Sequence, residues 1–154
     1  MKDAYIFTHK ERIRTVYGML RRFAANKREV DEFDQSTTEL KGREPAACKP
    51  SSISDPTAKT AVKRADAPRG MQYNRAWISA ITDARAECKV IDEREDYGYS
   101  LEFVMVNAYG LDGQEPMPRK DILAVRNISV ATYYNRIGTI TEIVMHHAAK
   151  RGLL

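Results

Sequence analysis

Residues 118–154 read PRKDILAVRNISVATYYNRIGTITEIVMHHAAKRGLL, and the pattern is a short helix, a tight turn and a longer helix. Pro118 suits a helix start, because its missing N–H would have no partner there in any case. Ile122, Leu123 and Val125 give the first helix an apolar side. Asn127 falls where the turn needs a residue that tolerates the left-handed conformation. Ile128 turns inward, and Ser129 is a strong N-cap for the next helix. Beyond it, Tyr133, Ile137, Ile140 and Val144 recur at intervals of 4, 3 and 4, the period of one buried helix face. Val130, Ala131, Thr132, Tyr134 and Asn135 are left pointing outward. This is the layout of a helix-turn-helix over 118–150, whose second helix offers its first turns to a major groove. A helix, a serine cap and a second helix also occur in ordinary bundles, so the motif alone leaves both readings open.

Charge favours a polyanionic partner. Residues 117–154 carry six Lys or Arg against Asp121 and Glu142, which suits DNA. On the first turns of the second helix, Thr132, Tyr134 and Asn135 are the expected contacts to base edges or nearby phosphates. Ser129 and Val130 stand beside them. Arg119, Lys120, Arg126 and Arg136 flank that face and are expected at phosphates. Leu123 occupies a position where such motifs often have a small residue, and Arg126 one that is often apolar. A wider helix crossing is therefore expected, with Arg126 reaching outward.

The rest of the chain carries the opposite sign. Residues 1–30 hold eight basic and three acidic residues, residues 31–116 eleven basic and sixteen acidic. Two basic ends thus flank an acidic middle, as expected when one face alone meets DNA. The 154 residues suggest one domain, or a small domain with an extension. No apolar run approaches the roughly 18 residues of a membrane span. The opening residues MKDAYIFTHKERIR lack the continuous apolar region of a signal peptide, so a cytoplasmic protein is expected. Cys48 and Cys88 form no CxxC pair, which argues against structural zinc, and a reducing compartment argues against a disulfide.

The spacing predicts an all-α chain: a long N-terminal helix over 1–34, a flexible linker over 35–54, and a helical domain over 55–154 that ends in the helix-turn-helix. The helical pattern of the first segment runs over 5–33. Ile6, Ile13 and Leu20 repeat every seven residues, as do Val16, Phe23 and Val30. Such a stripe suits an amphipathic helix packed on its own domain, or a homodimer interface. Arg12, Arg14, Arg21, Arg22, Lys27 and Arg28 occupy its other sides, either as contacts to DNA backbone or, more commonly for such a face, simply solvated. Residues 34–58, rich in Ser, Thr, Pro and Gly, lose all apolar periodicity and read as linker. DPTAKTAVKRAD, opened by Asp55 and Pro56, reads as a short helix. Residues 70–95 form another, with Tyr73, Trp77, Ile81, Ala84, Cys88 and Ile91 on one face and an acidic, exposed IDERED end. Residues 97–109 follow, with Leu101, Val104, Met105 and Ala108 at helical spacing, although Val and Phe also permit a strand.

Enzymatic motifs are missing. The glycines form neither GxGxxG nor GxxxxGK. His146 and His147 are adjacent, hence about 100° apart on a helix, and cannot chelate one metal. Ser129 is explained as a cap. No enzyme, cofactor or metal is expected.

The stretch RKDILAVRNISVATYYNRIGTITEIV resembles the C-terminus of ArpU/RinA-type late transcription regulators of phages of Gram-positive bacteria. The likeness centres on a Ser-x-x-Thr-Tyr-Tyr signature, here Ser129, Thr132, Tyr133 and Tyr134, which opens the second helix of a sigma-factor (sigma-70) region-4-like helix-turn-helix. The long N-terminal helix and the Ser/Pro linker before SDPTAKTA are similar too. The resemblance implies promoter binding and activation of late phage genes, with host RNA polymerase as a partner. Two alternatives stay open: a small terminase subunit that recognises phage DNA for packaging, and a helical module whose basic end binds an acidic protein.

Overall fold

The computed structural model describes residues 8–42, 69–94 and 100–154, and among them every regular element is a helix. Five are present: α1 (His9–Gly42), α2 (Arg69–Arg94), α3 (Leu101–Tyr109), α4 (Arg119–Arg126) and α5 (Val130–Lys150). α2 is central, packing against α1, α3 and α5, while α1 and α3 also touch α5 and α3 carries α4. The strand alternative for residues 101–109 is not the one adopted.

α1 starts where a reciprocal cap fixes it. The Thr8 hydroxyl oxygen accepts from the Glu11 N–H at 3.3 Å, and the Glu11 carboxylate accepts from the Thr8 N–H at 2.8 Å. Two of the free donors of the first turn are thereby satisfied. Val16, Leu20, Phe23 and Val30 of the seven-residue stripe are buried in the chain's own core, as the packed reading of that helix expects, while Ile13 is half-buried. Ile6 lies outside the described residues.

α1 runs past the expected boundary at residue 34. Ser36 and Thr37 donate their hydroxyls to the Phe33 carbonyl, at 2.8 and 2.6 Å, so residues typical of a linker are satisfied within the helix. Thr37 is buried, and Arg75 of α2 holds Asp34 at 2.5 Å while lying 5.9 Å from the Phe33 ring centroid. Polar contacts with α2 thus extend the helix beyond its apolar stripe. The expected linker from 43 onward, Cys48 and the short helix opened by Asp55 lie outside the described residues.

On α2, Trp77, Ile81, Ala84 and Cys88 of the expected face are buried and Ala80 joins them, whereas Tyr73, at the start of that face, is 44% exposed. The acidic end of α2 is not merely solvated. Asp92 accepts the N–H groups of Leu101 and Glu102 at 2.8 and 3.0 Å. Ser100, in the left-handed region at φ 52°, makes no side-chain cap, so α3 is capped from α2. Arg85 bridges Glu102 at 3.1 Å and Asp112 at 2.8 Å. That pairing raises the Arg85 pKa and holds the Asp112 carboxyl below the usual carboxylate range. α3 ends at Gly110, whose φ of 62° favours glycine and whose absent Cβ would stand 2.4 Å from the Gln114 carbonyl oxygen. The loop folds back so that the Met117 N–H reaches the Asn107 carbonyl at 2.7 Å, which delivers the chain to α4.

Among the described residues, no helix is long and apolar enough to cross a membrane.

Candidate nucleic-acid interface

The α4–α5 corner is built as the sequence implies. Asn127 adopts φ 50° and ψ 50° and donates its N–H to the Leu123 carbonyl. The Ile128 N–H shares that carbonyl at 3.2 Å, the six-to-one bond of a left-handed helix stop. Ser129 then caps α5: its Oγ accepts from the Thr132 N–H at 3.1 Å and donates to Thr132 Oγ1 at 2.9 Å.

α5 divides into an anchored end and a free end. Ile137, Ile140, Ile143, Val144 and Ala148 are buried. Near its C-terminus, His147 Nε2 meets Glu87 Oε2 of α2 at 2.5 Å, and Arg151 pairs with Asp83 and reaches Ser79 Oγ at 3.1 Å. Arg151 is therefore engaged within the fold, and part of the basic charge counted over residues 117–154 is already neutralised. The first turns of α5 stand clear of this anchorage. Val130, Ala131, Tyr134, Asn135 and Gly138 form an exposed strip at helical spacing, with Val130 and Tyr134 47% and 54% accessible. Val125 of α4, expected on that helix's apolar side with Ile122 and Leu123, is instead 61% accessible and joins this exposed surface, while Ile122 is buried. Glu142 is the next exposed residue along the strip, and its charge bounds the face that an anion can meet.

The expected contact residues do not all stand equally free. Lys120 and Asn135 are exposed. Thr132 is half-buried and its Oγ1 accepts from Ser129 Oγ, which leaves its own O–H and its methyl group to offer. Arg119 is exposed but donates to the Tyr134 hydroxyl, with its guanidinium carbon 5.6 Å from that ring's centroid. Arg126 is exposed, and its guanidinium lies over Phe103 of α3 at 4.0 Å; it reaches outward yet is held by a cation–π contact. Arg136 is half-buried at the side of the strip. Tyr133, expected in the core, is half-buried and packs against the core from its edge.

Sequence reasoning allowed the basic sides of α1 a role at DNA backbone but did not place them at this corner; the fold brings the two together. Tyr17 and Arg21 of α1 line an open cleft with Tyr109 of α3 and Tyr133, Tyr134 and Ile137 of α5. The Tyr17 and Tyr109 rings stack with centroids 6.5 Å apart. Burial raises the phenol pKa of Tyr109 and Tyr133, so both remain protonated. The two elements lie more than a hundred residues apart in the chain, and no local pattern signals the meeting.

Among the described residues, no group of His, Cys, Asp and Glu is arranged to hold a metal. Cys88 is buried, and burial, followed by the nearby carboxylates of Asp92, Glu87 and Glu102, pushes its thiol up to about 12. No family model, curated protein or solved structure matches the chain.

Proposed function

We propose that the chain is a sequence-specific regulator of transcription that binds double-stranded DNA through α4 and α5. The observation that carries this reading is the division of α5. Its C-terminal half is clamped to α2, while Val130, Ala131, Tyr134 and Asn135 project from its first turns with a polar and partly apolar surface. Such a surface suits a major groove, where Asn can bond adenine in a bidentate manner and apolar groups can meet thymine methyls. Arg119, Lys120 and Arg126 supply cationic flanks for phosphates. The role as an activator of late phage genes, working beside host RNA polymerase in the bacterial cytoplasm, rests on the Ser129, Thr132, Tyr133 and Tyr134 signature.

Footprinting the full chain on phage DNA tests the reading. Protection of a short site upstream of a late operon, sharpened by specific over non-specific competition, is the expected result. Protection at a packaging site together with ring-sized oligomers would favour the terminase alternative. Salt-independent failure to bind any duplex would leave only a protein-interaction module.

A further inference from the structure

We infer that α1 is a second DNA-contacting element, and that the tyrosine-lined cleft between α1, α3 and α5 seats a backbone phosphate beside the bases that α5 reads. The inference rests on the DNA-binding reading and extends it to a part of the chain outside the helix-turn-helix.

The chemistry of the cleft is that of an anion site. Its volume is about 250 Å³, below the 300–1,000 Å³ typical of pockets for drug-sized ligands and ample for one phosphodiester group. Its lining combines Arg21 and four tyrosines, Tyr17, Tyr109, Tyr133 and Tyr134, with Ala108 and Ile137, and no carboxylate is among the lining residues. Protonated phenols donate, and a guanidinium donates in a fork that matches phosphate oxygens. Tyr134 belongs both to this cleft and to the exposed strip of α5, and it carries Arg119. A strand whose bases face α5 therefore finds Arg119 and Arg21 on either chain segment next to the same tyrosine.

The charge of α1 agrees. Between residues 10 and 28 it bears seven Lys or Arg and one acid, Glu11, and the run of acids begins only at Glu29. Glu11 is turned back onto Thr8. Arg14, Tyr17 and Arg21 are spaced by three and four, so they share a face, and both arginines are exposed. At 1.5 Å per residue, Arg14 lies about 10 Å along the helix from Arg21, far enough to meet a different phosphate. The basic part of α1 thus prolongs the interface along the flanking DNA backbone.

Arg21→Gln and Arg14→Gln in the full chain test this, because both side chains are exposed and their loss leaves the core intact. Binding to the footprinted duplex is measured across a salt series, with phosphate-ethylation interference on both strands. Each contact contributes about −0.9 to the slope of log K against log salt, so losing one costs roughly eightfold at 0.1 M salt. The expected result for Arg21→Gln is that loss on specific and non-specific DNA alike, with one flanking ethylation signal abolished. A parent protein that binds while Arg21→Gln keeps the same affinity, salt slope and interference pattern overturns this inference and leaves the DNA reading standing. A parent that binds no duplex overturns both. Inorganic phosphate is the third arm. If it perturbs tyrosine fluorescence through Arg21 while DNA affinity is unchanged in Arg21→Gln, the cleft holds free anions and the inference falls.

Discussion

The Arg119 guanidinium lies over the Tyr134 ring, 5.6 Å from its centroid, and donates to the hydroxyl of the same residue. The two residues come from α4 and α5, so this pair braces the corner across its exposed side. It also keeps the arginine's charge at the rim of the proposed groove-facing strip. An exposed cation–π contact of this kind contributes about 0.5–1 kcal/mol. Tyr134→Phe is expected to lower stability by less than that and to keep the ring's contact. Arg119→Ala is expected to remove both the brace and one phosphate contact, flattening the salt slope by about 0.9. Chemical denaturation alongside a salt-dependent binding series separates the two effects.

Asn135 and Ser129 are expected to separate recognition from folding. Asn135 is exposed, so Asn135→Ala is expected to leave stability nearly unchanged. It is expected to cost about 1–3 kcal/mol of discrimination between the preferred and altered sites. Ser129→Ala removes the α5 cap and is expected to cost about 1 kcal/mol of stability, with Ser129→Asp restoring most of it. Equal affinity of Asn135→Ala and its parent for every duplex tested would rule out base reading by this residue.

Leu20 is buried within the chain, and truncation to Ala is expected to destabilise the fold by about 2–5 kcal/mol. Leu20→Asp is expected to unfold the helical body, because it buries an unpaired charge. A stripe that paired two copies would behave differently: the variant would dissociate while keeping its helical signal. Circular dichroism with sedimentation distinguishes the outcomes.

Cys88 is expected to resist alkylation in the folded chain across neutral pH, because burial keeps it a thiol. Its folded pKa of about 12 lies above the ordinary value, so its contribution to stability is fully present below the unfolded pKa of about 8.5. That contribution is expected to fade as pH climbs from there towards the folded value. Labelling kinetics in a Cys48→Ser background, compared with unfolding rates, check this.

What was legible in the sequence was local. The inward set Ile137, Ile140 and Val144, the Trp77 face and the Asn127–Ser129 turn all follow from spacing and turn chemistry within a few residues. The missed features are contacts between distant segments. Ser36 and Thr37 read as linker because their side chains favour turns, whereas in α1 both bond to the Phe33 carbonyl, next to the pairing of Asp34 with Arg75. Asp92 read as a solvated acid because nothing near it reveals that it caps Leu101, nine residues on. Arg126 read correctly as outward, yet its seat over Phe103 depends on α3 lying beneath α4. Arg151 added to the expected basic end until Asp83 claimed it.

The concentration of positive charge along the first half of α1 has a thermodynamic consequence for the free protein. Seven cations with one intervening acid repel one another, and that self-repulsion weakens the compact state most at low ionic strength. A polyanion that covers this stretch removes the repulsion only from the folded chain, so association and folding become linked equilibria. The salt dependence of the unfolding temperature is then a gauge of the partner: the temperature rises with salt when the helix is bare, and falls with salt when a polyanion occupies it, because salt weakens that association.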